Sequence, residues 1–112
     1  MAQLLVLTNL PDLTSARTLA TLLVEQRLAA CVNILGTAQS VYRWRGQTET
    51  AEEVPVLIKT TAARYDALEA AVRNHHPYEL PEIVAIKIER GLPEYLAWVD
   101  AETTDNAVGS SC

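Results

Sequence analysis

The chain has 112 residues, 49% of them hydrophobic and 21% charged, which suits a single folded domain around one core and excludes an intrinsically disordered chain. Nine Lys and Arg stand against fourteen Asp and Glu, a net charge of −5, and the basic residues are scattered from Arg17 to Arg90, so neither a phosphate-binding stripe nor a patch for anionic membranes is present. No apolar run approaches the roughly 18 residues of a membrane span, and Cys31 and Cys112 form neither a CxxC pair nor a disulfide framework; nucleic acid and membrane are not expected partners, and a reducing cytoplasm is the expected address.

In chain order, Gln3 to Thr8 is a continuous apolar run that predicts a strand covered on both faces. It lacks the basic lead and the length of a secretory signal. Asn9 to Asp12 reads as a turn, with Asp12 or Thr14 placed to cap a helix. The spacing of Ala16, Leu19, Ala20, Leu23 and Val24 predicts that helix, ending near Arg27. Ala29 to Ile34 reads as a second buried strand that bends at Gly36.

From Gln39 the pattern alternates, with Tyr42 and Trp44 on one face and Arg43 and Arg45 on the other, the period of a two-faced strand. Arg45, Gly46 and Gln47 form a natural hairpin turn in which Gly46 takes the positive φ. The returning arm carries Glu49, Glu52 and Glu53 and is expected to pair them with the arginines opposite. Pro55, without an amide donor, predicts a sheet edge or a bulge. So long a hairpin on so small a domain leaves backbone edges uncovered, a first sign that the chain associates with copies of itself.

Thr61 is placed to cap a second helix with Tyr65, Leu68, Val72 and His75 or His76 on one stripe, stopped by Pro77. Ile83 to Ile88 reads as the last main strand. After Gly91, Pro93 opens a short third helix with Tyr95, Leu96 and Val99 or Trp98 facing the body. The order is βαββαβ with an added helix, the ferredoxin-like arrangement of the α+β class, as one domain over residues 1–104, with 105–112 as a frayed tail.

The densest chemistry lies between His75 and Glu82. The two imidazoles are candidate ligands for copper, zinc or nickel. The competing reading is that they close the helix as cations near its C-terminus. Cys31, between Ala30 and Val32, is either a small core residue or a soft thiolate ligand. Tyr42 and Trp44 invite comparison with base-stacking platforms, but the net charge favours a subunit interface. Glu79 and Glu82 make a pair of carboxylates with no nucleophile placed beside them. No Ser/His/Asp order, GxGxxG or P-loop occurs, so an enzyme is not expected.

Six strings carry a resemblance: Thr8-Asn9 with Pro11-Asp12, Leu28-Ala29-Ala30-Cys31-Val32-Asn33, Ser40-Val41-Tyr42-Arg43-Trp44, Leu57-Ile58-Lys59-Thr60, His76-Pro77-Tyr78-Glu79 with Pro81-Glu82-Ile83, and Tyr95-Leu96 with Trp98. In this order they resemble the CutA divalent-cation tolerance family. The resemblance implies a ferredoxin-like fold in a tight PII-like homotrimer, with Tyr42 and Trp44 at its interface. It further implies a role in tolerance of copper and other divalent metals through binding or signalling, with no metal needed for folding. The competing class is a PII-like module that takes a small ligand or protein in its intersubunit clefts. Metal ligands implied by the family are a first-strand cysteine and the histidine pair. His75 and His76 match, whereas Thr8 stands at the cysteine position, and a hydroxyl is a poor ligand for a soft ion. Cys31, His76 and Glu82 match a second set of positions associated with a pocket.

Overall fold

The computed structural model describes residues 2–104; the expected tail and Cys112 lie outside the described residues. Eight elements follow one another: β1 (Gln3–Leu10), α1 (Leu13–Glu25), β2 (Cys31–Ile34), β3 (Ala38–Trp44), β4 (Gln47–Thr61), α2 (Ala62–His75), β5 (Val84–Lys87) and α3 (Pro93–Glu102). The sheet runs β2-β4-β1-β5, with β3 also on β4, and every pair is antiparallel. This is the expected α+β arrangement, with the second strand of the ferredoxin-like pattern broken into β2 and β3.

The period of two decides which side of the sheet becomes core. Val6 and Leu10 of β1 and Val54, Val56 and Ile58 of β4 point to one face, where Leu19 and Leu23 of α1 and Leu68 and Val72 of α2 close over them. Burying a side chain of this size contributes about 1.5–3 kcal/mol. The opposite face of β1 is only half-buried, so the expected cover on both sides is partial. At one end of that face Gln3 donates to Asp100 of α3 at 3.0 Å. On α3 it is Val99 that turns inward, while Trp98 stays 42% exposed.

Helix α1 begins as expected, because the Asp12 carboxylate accepts from the Ser15 amide at 2.7 Å. That bond also holds the Asp12 carboxyl below its usual range. The helix ends in a turn where Leu28 donates to Leu23 and Arg27 to Val24, the double bond of a Schellman cap. Arg27 occupies its left-handed position with φ 59°, a place usually given to glycine. Its guanidinium then donates to the carbonyls of Ala101 and Thr104, which ties the end of α1 to the end of α3. Thr61 sits at the N-cap of α2, but its side chain caps nothing.

Pro55 is not at an edge. It lies in β4, an interior strand, opposite Asn9 of β1, and its carbonyl accepts from Leu35 on the other side at 2.9 Å. A residue's N–H and C=O point to the same side of a strand. The donor that proline lacks therefore faces the break between β2 and β3, and no bond to β1 is lost. β5 is the expected last strand, shortened to a four-residue edge strand that is exposed throughout, with Ile86 at 61%. The hairpin β3–β4 carries the molecule to 51 Å in its longest dimension, against 28 and 23 Å in the others.

Candidate functional site

The hairpin and the segment after α2 enclose a groove of about 880 Å³. Its position follows from local rules. Pro77 bars helical geometry at His76, which adopts φ −90° and ψ 133°, so the chain leaves α2 and runs across the upper end of β1. There the His76 ring bridges two segments: Nε2 donates to the Asn9 carbonyl at 2.7 Å and Nδ1 accepts from the Tyr78 amide at 3.2 Å. These partners define the neutral Nε2–H tautomer. Burial pulls the imidazole below its usual pKa, against the opposing pull of the Asn9 carbonyl and of Glu53.

Three further contacts hold the same segment. The Asn9 amide donates to Glu82 at 2.8 Å, and Arg45 donates to Glu79 at 3.0 Å. The Tyr78 phenol faces Glu53; burial, that carboxylate and the nearby Tyr42 and Asp12 push its pKa up to about 12. Tyr42, Trp44, Glu53, Tyr78 and Glu82 all line the groove.

The histidines divide in role. His76 is 9% exposed with both ring nitrogens engaged, so it has no lone pair to offer a metal unless the Tyr78 bond is given up. His75 is exposed; its Nδ1 donates to Ala71 at 2.9 Å, the carbonyl one turn back, which leaves Nε2 as a free imidazole donor. Cys31 lies elsewhere, on β2, with Sγ 3.9 Å from Asn33 Oδ1. Asn33 also accepts from Lys59, and Cys31 meets the Tyr95 phenol of α3. The groove is lined by Glu82 but by neither Cys31 nor His76; His76 and Glu82 both hold Asn9, and Cys31 does not join them in a group that could hold a metal. Thr8 is fully buried beneath the helices, closed to any ion from solvent.

Among the described residues no group of three or more His, Cys, Asp and Glu stands close enough to hold a metal ion. A single chain thus offers one free imidazole nitrogen, short of the coordination set that copper or zinc takes.

Two site residues escaped the sequence reading. Asn9, read as a turn, belongs to β1, where its carbonyl and amide both bind the 76–82 segment. Glu53, read as a partner of the arginines, stands opposite Ala38, while Arg43 stands opposite Thr48 and Arg45 turns to Glu79. The available signal was parity: Glu53 is the odd neighbour of the buried Val54, at the level where β4 leaves the core for the hairpin.

The CutA1 divalent ion tolerance protein family matches residues 4–102. A Thermus thermophilus protein named divalent-cation tolerance protein CutA is 46% identical over 98 residues, 88% of this chain and 95% of that protein. A Xenopus laevis CutA homolog is 45% identical over 89 residues, 80% of this chain and 59% of its own length. The solved structure of the T. thermophilus protein aligns with a TM-score of 0.89 at 44% identity, covering 90% of this chain and 98% of that one. With the family match spanning all eight elements except Gln3 at the start of β1, the chain belongs to the CutA1 divalent ion tolerance family.

Proposed function

We propose that this chain is the subunit of a PII-like cytoplasmic homotrimer that binds divalent copper in the response to metal, as a binding or signalling protein and not as an enzyme. The observation that carries the reading is the match to the divalent ion tolerance family over residues 4–102. The trimer is supported by what one chain leaves bare: the exposed edge strand β5 and the projecting hairpin with Val41 68% exposed, edges of the sort that copies cover for one another.

His75 is the ligand that the geometry favours, since its Nε2 is free and accessible. The remaining donors then come from water or from a neighbouring copy, and His76 joins only if its ring releases the Tyr78 amide. Calorimetric titration with Cu(II), and with Cu(I) under reducing conditions, tests this on the wild type beside His75→Ala and His76→Ala. Saturable binding lost in His75→Ala and kept in His76→Ala is expected. Equal binding by wild type and His75→Ala would remove His75 as the ligand, and no saturable binding by wild type would overturn the copper reading.

A further inference from the structure

The groove sets carboxylate against aromatic ring twice, and the chain supplies a cation to one of the two. At the hairpin tip the Arg45 guanidinium lies 5.2 Å from the centre of the Trp44 ring and 3.0 Å from Glu79, so a ring face and a carboxylate share one positive charge. Farther in, Glu53 faces the Tyr78 phenol, with Tyr42 close by, and all three line the groove. Glu53 is nine-tenths buried. Yet among the described residues no Lys or Arg forms an ion pair with it. Its ionisable neighbours are Tyr78 and the neutral His76, and Asp12 adds negative charge near the same phenol. A carboxylate withdrawn from water beside neutral and anionic groups favours a counter-charge from outside.

We propose that the inner end of the groove binds an organic cation, a primary alkylammonium ion, with its ammonium on Glu53 between the Tyr42 and Tyr78 rings and its alkyl stem along Leu80. The lining selects this class. The two phenol ring faces attract an organic cation, and the Glu53 carboxylate accepts from its ammonium hydrogens. Of the charged residues that line the groove, Glu53, Glu79 and Glu82 outnumber Arg43, so the lining disfavours anions. The volume of about 880 Å³ falls within the range of small-molecule sites. Nothing in this proposal depends on copper or on His75.

The test is an NMR titration of the full chain in the presence of EDTA, with n-butylammonium as probe and n-butanol as its neutral counterpart of equal length. Saturable shifts of the Tyr42, Glu53 and Tyr78 amides are expected with the ammonium, at an affinity about tenfold above that of the alcohol. Glu53→Gln should bring the ammonium down to the level of the alcohol. Equal affinity for the two probes, unsaturable shifts, or shifts centred elsewhere would overturn the site, and the wild-type comparison decides even if Glu53→Gln fails to fold. Because EDTA removes metal, failure here leaves the copper titration unaffected, and failure there leaves this one unaffected.

Discussion

Thr8 holds the one buried side-chain polar atom without a hydrogen-bond partner among the described residues, and it lies in the core with 0% exposure. A hydroxyl in that state costs about 1–3 kcal/mol relative to a satisfied one. Thr8→Val, which keeps the shape and removes the hydroxyl, should therefore raise stability by about 1 kcal/mol, read as a higher thermal midpoint by circular dichroism. A lower midpoint would mean that the hydroxyl has a partner. Tyr78 gives the pH counterpart. Its phenol is raised from 10.0 to about 12 in the fold, so the folded state holds its proton more tightly than the unfolded chain does. The stability from this group is complete below pH 10 and is lost as pH rises toward 12. Tyr78→Phe should flatten that alkaline loss in denaturant midpoints measured across the interval; an unchanged slope would contradict the assignment.

The hairpin shows how much of an element can be read from residue types. Trp44 and Gln47 are paired, so Arg45 and Gly46 alone make the turn, with φ of 52° and 80°. Positive φ at both central positions is the type I′ pattern that matches strand twist. Gly46 announced the turn; Arg45 in a left-handed position did not, because its contact with Glu79 is tertiary. Gly46→Ala meets open space but a strained φ, and should cost about 1 kcal/mol, visible as a lower midpoint in urea. Helix α1 was legible down to its Asp12 cap, and the end of α2 at His75 followed from Pro77. Of the edge or bulge that Pro55 predicted, the structure has the irregular break, where residues 35–37 stand against the two residues 54–55; which side of β4 it falls on depends on a partner, Leu35, that only the folded sheet supplies. For the same reason the groove was half legible: Glu79, Glu82, Tyr42 and Trp44 stood out by type, whereas Glu53 and Asn9 gained their roles from register.

At the scale of the molecule, the order of elements was written in hydrophobic period, and the core obeys it strand by strand. What period cannot convey is how much apolar surface one chain fails to cover. Ile83 to Ile88 reads as the last main strand in the sequence, and β5 is exposed along its length, while Val84, Ile86 and Val41 all stand more than two-fifths open. Apolar side chains on uncovered strands are sites where copies meet. Assembly would also couple stability to concentration, because dissociation must accompany unfolding; diluting the protein should lower its thermal midpoint, and a midpoint independent of concentration would argue for a monomer. Light scattering at micromolar concentration tests the assembly most directly. A particle of three times the 12.3 kDa chain mass is expected, whereas a particle of 12.3 kDa would leave the hairpin and β5 as ordinary surface and contradict the trimer.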